Sequence, residues 1–70
     1  MLERHLALTE RHVAEGKGIV TKQRRLVAEL AGKGLDTLVA AALLNEFEAT
    51  QDMHVDHRDR LLTVLAKTRV

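Results

Sequence analysis

The chain has 70 residues, no cysteine and no proline, and a formal net charge of +1. This length allows one domain at most. The missing thiols exclude disulfides, thiol catalysis and thiolate zinc sites, and the near-neutral balance lacks the electrostatic footprint of a nucleic-acid or anionic-membrane binder. Hydrophobic residues make up 46% and charged residues 30%, with Phe47 the only Phe, Trp or Tyr. A Leu-, Ala- and Val-rich composition without strand-favouring aromatics points to an all-helical protein rather than a disordered one.

Residues 1–35 carry seven Lys/Arg against four Asp/Glu, a balance of +3, and residues 36–70 carry four against six, a balance of −2. Opposite halves favour folding onto each other, although exposed pairs contribute only ~0.2–1 kcal/mol each. No apolar signal segment follows Met1-Leu2-Glu3-Arg4-His5. The longest uncharged apolar run, Leu38 to Leu44, falls far short of the ~20 residues of a membrane helix. A cytoplasmic location is expected.

The first half carries a regular heptad. Leu2, Leu6, Thr9, Val13, Gly16, Val20, Gln23, Val27 and Leu30 alternate four- and three-residue steps, and His5, His12, Ile19 and Leu26 precede every second one at seven-residue intervals. The stripe is that of a bundle helix rather than a narrow coiled-coil seam. It passes through Gly16 and Gly18 in phase, so one helix is expected over about 2–31, each inner glycine costing roughly 1 kcal/mol relative to alanine.

Gly32-Lys33-Gly34 is the one strong breaker, and a glycine just past a helix supplies the left-handed residue that closes it. Asp36 is the N-cap candidate of a second helix, with Leu35 positioned to staple onto Ala40. That helix, expected over about 37–68, has the seam Ala40, Leu44, Phe47, Gln51, His54, Arg58, Leu61 and Leu65, flanked by Leu43, Thr50, His57 and Val64. The short connection forces an antiparallel hairpin. With the turn centred near residues 33–34, facing residues sum to about 67, placing Val20 near Phe47, Val13 near His54 and Thr9 near His57 or Arg58. The expected interface core is Leu6, Val13, Val20, Val27, Leu30, Leu44, Phe47, Leu61 and Leu65. Two helices bury too little to be comfortable alone, so a homodimeric four-helix bundle is expected.

Arg11-His12-Val13-Ala14-Glu15-Gly16, then Gln23-Arg24 with Leu26-Val27-Ala28-Glu29-Leu30, and above all Leu43-Leu44, Phe47-Glu48, Thr50-Gln51, His54 and His57-Arg58-Asp59-Arg60-Leu61-Leu62 carry a resemblance. Over about residues 3–65 the chain resembles a group of short, uncharacterised two-helix proteins of alphaproteobacteria, particularly rhizobia and their relatives. The resemblance implies a bacterial helical hairpin and carries no activity. Gly18 stands where that group tends to have a charged residue, which implies a looser first helix here.

The histidines are the most chemical-looking feature. His54 and His57 are three apart on one helix face, and the antiparallel register brings His12 toward them. Three imidazoles could hold zinc with an open position, or form a metal- or pH-responsive layer. The plainer reading is a set of partly solvated polar positions hydrogen-bonding Thr9, Gln51 or Asp56, and polar residues in a helical seam also specify register and oligomeric state. Lys22-Gln23-Arg24-Arg25 could touch phosphate but reads more simply as a solvated face, which leaves weak nucleic-acid binding a minor alternative. Glu48, Asp52, Asp56 and Asp59 form an acidic stripe that could guide pairing, with Arg11 near Asp56, or dock a basic partner.

His57-Arg58-Asp59 matches three letters of a kinase loop without the rest of its machinery, and Gly16-Lys17-Gly18 and Gly32-Lys33-Gly34 lack the strand and spacing of a phosphate loop. Serine is absent and no nucleophile, base and oxyanion site assemble, so neither an enzyme nor a cofactor is expected. The expectation is a homodimeric structural or protein-interaction module, with room for a further protein partner, no membrane, and nucleic-acid binding only as the third alternative.

Overall fold

Four-three spacing turns one stripe of each helix toward its neighbour, and the structure follows that stripe. A computed structural model describes residues 2–68. It consists of two helices, α1 (Leu2–Gly32) and α2 (Leu38–Thr68), packed antiparallel into a rod of 57 × 14 × 14 Å. Every position of the two seams is buried or half-buried, from Leu2 to Leu30 on α1 and from Ala40 to Leu65 on α2. Of the flanking rows, His5, Ile19, Leu26, Leu43, Thr50, His57 and Val64 are exposed and only His12 is half-buried. α1 runs unbroken through Gly16 and Gly18, because the turns on either side are held by seam contacts.

The turn resolves which glycine closes α1. Gly32 stays in the helix, whereas Gly34 takes φ +69°. Its N–H donates to Ala31 O at 3.0 Å, and the Leu35 N–H reaches back to Leu30 O at 2.9 Å. These are the two bonds of a Schellman cap, which satisfy carbonyls that the helix end leaves open. Asp36 then caps α2, its Oδ1 accepting the Leu38 N–H at 2.9 Å. Leu35 remains 55% exposed while Ala40 is buried, so little of the side chain is covered by any staple.

Two helices share one contact layer, and the burial shows its limits. Val20, Ala40, Leu65 and Thr9 retain 5–8% exposure, and no described side chain is completely enclosed. Thr9 is tolerated there because its hydroxyl donates to Leu6 O at 2.8 Å, so its buried oxygen is not left unpaired. Full burial of a Val or Leu contributes about 1.5–3 kcal/mol, and a half-covered seam residue contributes a fraction of that.

The left-handed cap separates the turn glycines in a test. Gly34→Ala should lose ~1–2 kcal/mol, since a Cβ disfavours positive φ. Gly32→Ala, with open space around its Cα, should gain up to ~1 kcal/mol of helix propensity. Urea denaturation followed by circular dichroism reads both; equal shifts would contradict the cap.

Candidate functional site

Two seam glutamines bridge the helices. Gln23 Nε2 donates to Ala40 O at 2.9 Å, and Gln51 Nε2 donates to Val13 O at 2.8 Å. Each carbonyl belongs to the opposite helix, so each bridge ties a side chain to a fixed height on its neighbour's backbone. Gln51 fits only because Gly16 lacks a side chain: a Cβ there would overlap Gln51 Oε1. That oxygen is buried with no donor, so the Gln51 bridge satisfies one end of its amide and leaves the other open.

The bridges and ring contacts also correct the register. Facing residues sum to 62–66 rather than 67. His57 meets His5, with ring centroids 5.5 Å apart at 67°. His12 meets His54, again at 5.5 Å, tilted by 51°. The three-histidine alternative of His12, His54 and His57 is thus divided between two cross-helix pairs, and among the described residues no group of three or more His, Cys, Asp or Glu is placed to hold an ion. Both pairs lie along one side of the hairpin. Beside them a groove of about 230 Å³ opens at the Gly16 notch, with Ile19, Phe47 and Gln51 on its walls and Glu15 and Thr50 among its lining.

Of the expected core, Val20 and Leu65 are buried, and Leu6, Val13, Val27, Leu30, Leu44, Phe47 and Leu61 are half-buried. The charged clusters are divided among local partners. Gln23 turns inward to Ala40, and Arg24 lies 3.7 Å from Glu48 across the hairpin, which breaks up the Lys22–Arg25 cluster. Asp56 pairs with Arg60 one turn along at 2.9 Å, in place of Arg11, and Asp59 holds Arg58 at 2.9 Å. Three members of the acidic stripe are therefore engaged by neighbouring cations. Among the described residues no helix is long and apolar enough to cross a membrane. No family model, curated protein or solved structure matches this chain.

Sequence reasoning placed Gln23, Gln51 and Gly16 on the seam without foreseeing the bridges. The signal was available: a glutamine and a glycine at facing heights of a seam are a side chain and the gap that admits it. His5 was overlooked as a contact because the expected register ran a few residues off.

The notch yields a double-mutant cycle. Gly18→Ala, facing open space, should stabilise by up to ~1 kcal/mol. Gly16→Ala must expel the Gln51 amide, losing a hydrogen bond of ~0.5–1.5 kcal/mol that offsets its propensity gain. In a Gln51→Ala background the Gly16→Ala change should become stabilising. Chemical denaturation of the four variants measures the coupling; additivity within error would mean the two residues do not interact.

Proposed function

We propose that this protein is a non-catalytic structural or protein-interaction module that works as a homodimer, two hairpins forming a four-helix bundle. What supports self-association is the surface a single hairpin leaves in water. The chain exposes 5569 Å², whereas a compact monomer of 7.8 kDa exposes about 4,400 Å². Its radius of gyration is 16.2 Å, against about 11 Å for a compact domain of this length. The excess is what a second layer of helices would cover. Among the described residues ten large apolar side chains are at least 40% exposed, so the surplus surface is substantially hydrophobic.

The polar seam supports a role in specifying the pairing. Buried amides that reach fixed carbonyls favour one register over slipped alternatives. The charged groups left on the outer faces would then meet any further protein partner. A bacterial setting accords with the resemblance carried by the segments around His12, Gln23 and His57.

Sedimentation equilibrium at micromolar concentration should give twice the chain mass of 7.8 kDa, and the melting temperature should rise with protein concentration, as mass action requires of a folded dimer. A helical monomer that melts cooperatively and independently of concentration would refute the proposal.

A further inference from the structure

The two flanks of the hairpin differ sharply in chemistry. On one, Glu3, Glu10, Lys17 and Arg24 of α1 run beside the seam, and Arg24 lies 3.7 Å from Glu48, the charged member of an α2 row that also holds Ala41, Val55 and Leu62. On the other, the row is His5, His12, Ile19 and Leu26 on α1, and Leu43, Thr50, His57 and Val64 on α2, with no Lys, Arg, Asp or Glu in either. The His5–His57 contact and the groove shared by Ile19 and Thr50 show that these two rows lie on the same side. Ile19, Leu26, Leu43 and Val64 stand 40–48% exposed along it.

We infer that this uncharged flank is the surface on which a second copy of the chain seats. The inference rests on the homodimer proposed above and assigns its interface. Three observations select the flank and its occupant. The first is area: a face 57 Å long and about two helix diameters, ~20 Å, wide offers on the order of 1,000 Å² per chain, against the ~800 Å² of a stable interface. The second is composition. Depletion of charge at the centre of a patch marks an interface core, and only this flank has it along its full length. The third is self-complementarity, which a two-fold dimer requires of a single patch. A copy rotated about the long axis of the rod lays α1 over α2 with the turns at the same end. Ile19 then comes level with Leu43 of the other chain, and His5 with His57, because the rotation keeps the heights set by the hairpin's own register. The groove beside Gly16, open between His12, Ile19, Phe47 and Thr50, supplies a recess in the middle of the face where a side chain of the second copy can enter.

The absence of native cysteine makes the surface directly testable with single-thiol variants. Leu26→Cys marks the uncharged flank, Leu62→Cys the charged flank and Thr63→Cys the outer surface. Labelling of each by a maleimide is followed at concentrations below and above the dimerisation midpoint found by sedimentation. Leu26→Cys should slow by about tenfold or more as dimer forms, while the other two change less than about twofold, since burial in a close-packed interface excludes the reagent. In the otherwise wild-type chain, Leu43→Glu should weaken dimerisation by at least about 100-fold, because it buries an unpaired charge, and Leu62→Glu should leave it nearly unchanged. Protection of Leu62→Cys or Thr63→Cys instead, in a protein that sediments as a dimer, would overturn the assignment of the flank and leave the homodimer standing. A protein that remains monomeric at every concentration would remove both.

Discussion

Two helices lying side by side can share only one layer of side chains. Each helix presents a stripe wider than its neighbour can cover, and one layer covers only the centre of it. This geometry explains why Val20, Ala40 and Leu65 are buried while Ile19, Leu26, Leu43 and Val64, one residue from seam positions, stay in water. It explains as well why no described side chain is fully enclosed. A third or fourth helix is the ordinary remedy, and a second copy is the one partner always present in equal amount.

Within that single layer, polar residues hold positions that an apolar pair would fill with more burial. Gln23 and Gln51 trade hydrophobic contact for a directed bond to an opposing backbone carbonyl. The exchange costs some stability but disfavours slippage, because an apolar seam repeated every seven residues packs nearly as well when shifted by one heptad. The Gly16 notch makes the arrangement more selective, since shifting α2 along α1 would bring Gln51 against a residue that has a Cβ. The histidine pairs occupy the half of the rod far from the turn, where the flank is more polar, and the apolar residues Leu26 and Leu43 occupy the half near it.

Charge takes a secondary part. The opposite balances of the two halves agree with their pairing, yet Arg24–Glu48 is a long, exposed contact, and Asp56 and Asp59 are engaged by cations of their own helix. Exposed pairs of this kind contribute little to stability.

The sequence by itself determined both helices, the turn between them and the identity of every seam residue, because a heptad period, a Gly-Lys-Gly break and an Asp N-cap are local signals that depend on covalent spacing alone. The choice of Gly34 over Gly32 as the left-handed residue was not legible, since either glycine could close the helix and the Schellman bonds of Ala31 and Leu30 decided between them. Register was legible only to within a few residues. Turn position sets it coarsely, and the last adjustment came from where Gln23, Gln51 and the histidine rings find partners across the hairpin. That adjustment set His57 against His5 and divided a possible three-histidine cluster into two pairs. Tertiary structure alone could decide this, because the distance between side chains on two helices depends on their relative height, which no spacing within one helix encodes.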